Sequence, residues 1–185
     1  MPSSGAAPVG AASRPIVLIG MMGSGKSTVG RRLAARLGRH FVDADKFLEE
    51  RCGVAIATIF ELEGEDGFRR RETAILDELS RLPGIVLATG GGVVTREENR
   101  RVLAERCVVV FLQASLQDLW QRLRRDRTRP LLQTDNPRER IADLLESREP
   151  LYRAIADITA VSARQPVDEL VADIIGRLPD EYRAP

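Results

Sequence analysis

Residues 16–28 read Ile16-Val-Leu-Ile-Gly20-Met-Met-Gly-Ser-Gly-Lys26-Ser-Thr28. Four consecutive apolar residues lead into a glycine-rich turn that satisfies G-x-x-x-x-G-K-[ST]. Glycines let the backbone curl so that successive N–H groups line one concavity and hold phosphate oxygens. The helix that follows turns its positive end toward the same oxygens. Gly23, Ser24, Gly25, Lys26, Ser27 and Thr28 are therefore candidate nucleotide ligands. Lys26 would reach the β and γ phosphates as a point charge. The Ser27 hydroxyl is a candidate ligand for Mg²⁺. A strand before the turn and an amphipathic helix after it are what this motif requires, and a merely flexible turn would need neither. A phosphate loop alone does not name the acceptor, because switches, motors and kinases all use one.

Outward from this turn, short apolar runs alternate with helical periodicity. The runs Ile16–Ile19, His40–Val42, Ile85–Ala88, Val108–Leu112 and Ile158–Val161 read as strands buried on both faces. Val29, Leu33 and Leu37 recur every four residues, and Gly38 marks a helix stop. Phe68, Ile75, Leu76, Leu79 and Leu82 form a second stripe, and Val171, Ile174, Ile175 and Leu178 a third, entered through Pro166 at a first-turn position. The expected fold is a three-layer α/β/α domain of the phosphate-loop type, with a central five-stranded parallel sheet, a helical segment beside the cleft and a mobile lid. Ligands in such sheets bind beyond the carboxyl ends of the strands. Residues 15–180 are expected to form this one domain, with the lid at about 122–136. The Ala-, Ser-, Gly- and Pro-rich residues 1–14 are expected to be a disordered tail.

Composition removes several classes of function. With 28 basic and 27 acidic residues the formal net charge is +1, so no global field recruits nucleic acid or a membrane surface. Two cysteines in no metal-type spacing and a single histidine argue against a disulfide scaffold and a multi-histidine metal site. No apolar run reaches membrane-spanning length, and the first residues lack the pattern of a signal peptide. A cytoplasmic monomer is expected.

Four further features carry candidate chemistry. Strand two ends Asp43-Ala-Asp45, and residues two apart on a strand point the same way. If the extended geometry persists, both carboxylates face the cleft, one beside a metal-bound water and the other accepting from an acceptor hydroxyl. Capping a helix that begins at Lys46 is the other use of Asp45. Arg148 falls seven residues after Ile141, on the apolar face of a helix that opens after Asn136 and Pro137. It must either be paired in a cavity, where a carboxylate substrate suits its fork, or snorkel at the helix end before Pro150. Arg69 begins a run of three arginines that belongs either to a solvated face or to a site. Residues 122–129 hold five arginines and one acid, and read as a lid over a triphosphate, a solvated helix end or an RNA-binding patch. Gly90, Gly91 and Gly92 after the third strand permit a close ligand approach or form an ordinary turn.

Taken together, these blocks resemble the shikimate kinases. The similarity runs from Val17 to about Leu178. It rests on Gly20–Thr28, Asp43–Asp45, the Phe60–Glu72 segment, Thr89–Gly92, Arg129-Pro-Leu-Leu132 and Arg148-Glu-Pro-Leu-Tyr152 in this order. The resemblance implies transfer of the γ-phosphoryl of ATP to the 3-hydroxyl of shikimate, with Mg²⁺, on the route to chorismate and the aromatic amino acids. It implies Asp45, Arg69, the Gly90–Gly92 turn and Arg148 as shikimate ligands, with the two arginines flanking the carboxylate. Asp43 would support the metal's water shell. Lys26, Asp45 and Arg129 would be catalytic, Arg129 reaching ATP from the lid, and Arg122 with Arg164 or Gln165 would lie beside adenine. A related kinase acting on gluconate or a nucleoside monophosphate, and a nucleotide switch without phosphoryl transfer, are the competing readings. No guanine-selecting N-K-x-D pattern accompanies the loop.

Overall fold

The short apolar runs form strands because both of their faces are covered. The structure, a computed structural model, describes residues 14–126, 130–162 and 165–183. Strands β1 (Ile16–Ile19), β2 (His40–Asp43), β3 (Ile85–Ala88), β4 (Val108–Gln113) and β5 (Ile158–Val161) form one sheet in the order β2-β3-β1-β4-β5. Every neighbouring pair is parallel, with Val17 of β1 level with Leu87 of β3 and Val109 of β4. The helices are α1 (Lys26–Arg36), α2 (Ala44–Cys52), α3 (Ile56–Leu79), α4 (Glu97–Arg106), α5 (Leu116–Leu123), α6 (Pro137–Ile155), α7 (Val167–Arg177) and a short α8 (Asp180–Arg183).

Alternation along β1 assigns its residues to two separate cores. Ile16 and Leu18 join Val29 and Leu33 of α1 and Val171 and Ile174 of α7 on one side of the sheet. Val17 and Ile19 join Leu76 and Leu79 of α3, Leu103 of α4 and Tyr152 of α6 on the other. Both sides are apolar, so the strand reads as an unbroken hydrophobic run. Among the described residues no helix is long and apolar enough to cross a membrane.

The structure departs from the sequence reading at several boundaries. Strand β2 runs one residue further, to Asp43, and α2 starts at Ala44 with no intervening loop. Leu82 lies past the end of α3 and is 40% exposed, so it leaves the stripe formed by Phe68, Ile75, Leu76 and Leu79. Helix α3 is also kinked at Gly64, whose backbone is non-helical. Pro166 stands as the N-cap of α7. Helix α6 does not end before Pro150 but passes through it to Ile155. Its buried face, Ile141, Leu144, Arg148 and Tyr152, continues on both sides of the proline. That packing outweighs an interior proline's cost of about 3 kcal/mol. Of the expected tail, residues 1–13 lie outside the described residues. Arg14 donates to the carbonyls of Ala104, Glu105 and Cys107 at the end of α4.

Leu33 is fully buried between α1 and the sheet. Its replacement by alanine should lower the unfolding free energy by about 2–5 kcal/mol in a denaturant titration, with the slope unchanged. A loss under about 1 kcal/mol would contradict this packing.

Candidate active site

The turn between β1 and α1 sits at the carboxyl edge of the sheet, where the connection from β1 runs to one side, to β2, and that from β3 to the other, to β4. Gly23 and Gly25 take φ of 76° and 95°, in the left-handed region that only glycine enters freely. Gly25 is the N-cap of α1, so the loop's N–H groups and the helix's positive end share one concavity. Lys26 is buried, and its Nζ donates to the carbonyls of Gly20 and Met21, each at 2.8 Å. Ser27 Oγ donates to Asp43 Oδ2 at 2.6 Å. This joins a hydroxyl and a carboxylate, two hard oxygen donors of the kind Mg²⁺ takes. The other Asp43 oxygen accepts from the Lys46 N–H and caps α2. The capping role considered for Asp45 therefore falls to Asp43, because the helix starts two residues earlier than expected. Asp45 sits in the first turn of α2, not on an extended strand.

Across the cleft, the run Arg69–Arg71 splits. Arg71 pairs with Glu63 at the surface, whereas Arg69 is buried. Its Nη1 meets Glu72 Oε2 at 2.7 Å and its Nη2 meets Glu65 Oε1 at 3.0 Å. Burial works against the Arg69 charge, but Glu72 and Glu65 outweigh it and hold its pKa above the ordinary value. Burial likewise pushes the Glu72 carboxyl up, and Arg69 opposes the rise. Arg148 is 4% exposed, which excludes snorkelling at a helix end. Among the described residues its Nη1 has no hydrogen-bond partner. Burial lowers the Arg148 pKa, and the nearby Arg69 charge adds to the effect.

Two glycines of the triplet, Gly90 and Gly92, make room for charged side chains of the site. A Cβ on Gly92 would fall inside the Arg69 guanidinium, and one on Gly90 would lie 2.6 Å from Glu72 Oε1 and 3.0 Å from Asp45 Oδ1. The space left by the glycines thus holds the site's own charged groups. The phosphate loop, Asp43, Asp45, Arg69, the glycine triplet and Arg148 line one cleft of about 860 Å³. One wall is a ready phosphate cradle, and the other is a pair of buried guanidinium groups, one with an unmet donor.

A model of the shikimate kinase family matches residues 22–179. The chain belongs to the shikimate kinase family. Among its relatives, the shikimate kinase of Aromatoleum aromaticum is 58% identical over 149 residues, covering 80% of this chain and 85% of that protein. The shikimate kinase of Bordetella avium is 52% identical over 164 residues, covering 89% and 78%. A solved shikimate kinase from Acinetobacter baumannii in complex with shikimate superposes with a TM-score of 0.86 at 46% identity, covering 88% of this chain and 91% of that one.

Not every residue expected at the family's site lines the cleft. Ser24 is fully buried within the loop. Arg122 donates to the carbonyl of Gly23 at 2.9 Å, to Ser162 Oγ at 3.3 Å and to the Ser162 carbonyl at 3.2 Å, which ties α5 to the phosphate loop. Gln165 donates to the Val161 carbonyl at 3.3 Å. Arg129 and Arg164 lie outside the described residues. Glu72 had gone unnoticed as a site residue. Its signal was available, since a carboxylate four residues after Phe68 and three before Ile75 stands on an otherwise apolar helical stripe. Removing it with Glu72→Ala would strip Arg69 of its buried partner. The unfolding free energy should fall by about 3–5 kcal/mol, and a change below about 1 kcal/mol would mean that Glu65 alone suffices.

Proposed function

We propose that this protein is a shikimate kinase, transferring the γ-phosphoryl group of ATP to the 3-hydroxyl of shikimate to give shikimate 3-phosphate and ADP. The observation that carries the proposal is buried Arg148, which lines the same cleft as the phosphate loop and whose Nη1 has no hydrogen-bond partner among the described residues. A carboxylate is the ligand that satisfies a guanidinium in this position. Family membership supports the same substrate.

When bound, ATP with Mg²⁺ supplies the phosphoryl group and a divalent charge on its oxygens. Ser27 and Asp43 would hold the metal, Ser27 directly and Asp43 through its water shell. The loop from Gly23 to Thr28 would cradle the phosphates, and Lys26 would exchange its loop carbonyls for phosphate oxygens. Arg69 and Arg148 would grip the shikimate carboxylate, with the Gly90–Gly92 turn closing over the ring. Asp45 would orient the 3-hydroxyl and accept its proton as the new oxygen–phosphorus bond forms. Lys26 and Arg129 would offset charge on the transferring group, so that rate enhancement comes mainly from positioning and electrostatics. Arg122, Arg164 and Gln165 are proposed beside the adenine. The proposal keeps residues 15–180 as one domain with 122–136 closing over the nucleotide, in a cytoplasmic monomer with no nucleic-acid or membrane partner.

The test is ADP release measured with shikimate, gluconate and nucleoside monophosphates as acceptors. Release that depends on shikimate is expected; release that is indifferent to acceptor would point to a nucleotide switch, and preference for gluconate to the related kinases. Lys26→Ala should reduce turnover by about 100- to 1,000-fold. Arg148→Ala should raise KM for shikimate by roughly 30-fold or more while KM for ATP stays within about twofold. Equal losses for both substrates would make Arg148 structural.

A further inference from the structure

One buried hydroxyl behind the cleft wall, beneath Gly91, has no part in the proposed chemistry. Tyr152 lies on the inner face of α6, one turn beyond Arg148, and is fully buried. Its ring stacks on Phe111 of β4 with centroids 5.1 Å apart and planes 23° apart. Phenylalanine would fill the same volume, so packing does not require the hydroxyl. That hydroxyl donates to the carbonyl of Gly91 and lies 3.7 Å from Met21 Sδ in the phosphate loop. The Arg148 guanidinium lies beside it as well. Burial raises the Tyr152 pKa above its ordinary value and Arg148 opposes the rise, so the hydroxyl stays protonated and keeps donating.

Gly91 is pinned from both sides. A Cβ there would come within 3.0 Å of the Met22 nitrogen, so its backbone is pressed against the phosphate loop on one side and held by Tyr152 on the other. The Gly91–Gly92 peptide is planar and trans, so fixing the Gly91 carbonyl also fixes the direction of the Gly92 N–H. Gly92 in turn packs against the Arg69 guanidinium. One hydroxyl therefore touches, directly or through one peptide, the glycine turn, the phosphate loop and both buried arginines.

We infer that Tyr152 is a positioning residue for the acceptor, its hydroxyl holding the Gly91–Gly92 peptide and Arg148 in register with the phosphate loop. The inference rests on the proposed binding of shikimate at Arg148. The test is Tyr152→Phe, which keeps the stacked ring and removes only the donor. Its Kd and KM for shikimate should rise about fivefold or more, with KM for ATP within about twofold of the parent. Placing p-aminophenylalanine at position 152, which restores an N–H donor, should recover affinity. Shikimate affinity unchanged in Tyr152→Phe, or equal losses for shikimate and ATP, would overturn the inference.

A second measurement needs no change at the site. The chain has two tyrosines, Tyr152 and Tyr182. With tyrosine labelled at the ring carbon bearing the hydroxyl, and Tyr182→Phe to assign the signals, the Tyr152 resonance should move on saturation with shikimate. A resonance that stays in place would overturn the inference even if the phenylalanine variant failed to fold. A parent protein that does not bind shikimate strikes at the proposed function; a parent that binds it and a variant that binds it equally strike at Tyr152 alone.

Discussion

Two guanidinium groups buried on one side of a small cleft set the constraint that the rest of the site answers. Like charges in a poorly solvated space repel, and each costs several kcal/mol to desolvate unless it is paired. Arg69 is answered from within the chain, by Glu72 at 2.7 Å and Glu65 at 3.0 Å on its own helix. Arg148 is answered only in part, and its Nη1 is left with an unmet donor. The local imbalance also explains how a chain of net charge +1 can attract an anionic acid without a basic surface.

The constraint propagates into the backbone. Room for Arg69, Glu72 and Asp45 is obtained by the missing Cβ atoms of Gly90 and Gly92, and that of Gly91 lets the turn approach the phosphate loop. The same turn lies against the phosphate loop, so the two walls of the cleft meet there. On the nucleotide side, the hydrogen bond from Ser27 to Asp43 links the first turn of α1 to the end of β2. Asp43 then caps α2, the helix that carries Asp45. A displacement of the phosphate loop would therefore be felt at the acceptor carboxylate through two covalent steps and one hydrogen bond.

Much of this was legible in the sequence because it depends on periodicity and on special backbone geometry. Strands buried on both faces have no polar alternation to obscure them, and all five were found to within a residue or two. The phosphate loop was legible because few other structures need Gly23, Gly25 and Lys26 at that spacing. Arg148 was legible as a charge on an apolar stripe. What escaped is what tertiary packing decides. The role of Pro150 depended on whether the buried face of α6 outweighed a helix-breaking residue. The division of labour between Asp43 and Asp45 depended on where α2 begins, a matter of two residues. Glu72 was hidden because the arginine run beside it looked like a solvated face, and only the fold reveals that Arg69 turns inward while Arg71 turns out.

If an acceptor's carboxylate completes the Arg148 site, removing its charge must cost affinity. Comparing kcat/KM for shikimate with those for its carboxamide and its methyl ester tests this, since both keep the ring and hydroxyls and lose the charge, and only the ester adds bulk. A loss of about 100-fold or more for both is the predicted result, the scale of a buried charge left without its partner. Either one phosphorylated within about twofold of the free acid would contradict it, because the arginines would then be holding the fold and not the substrate.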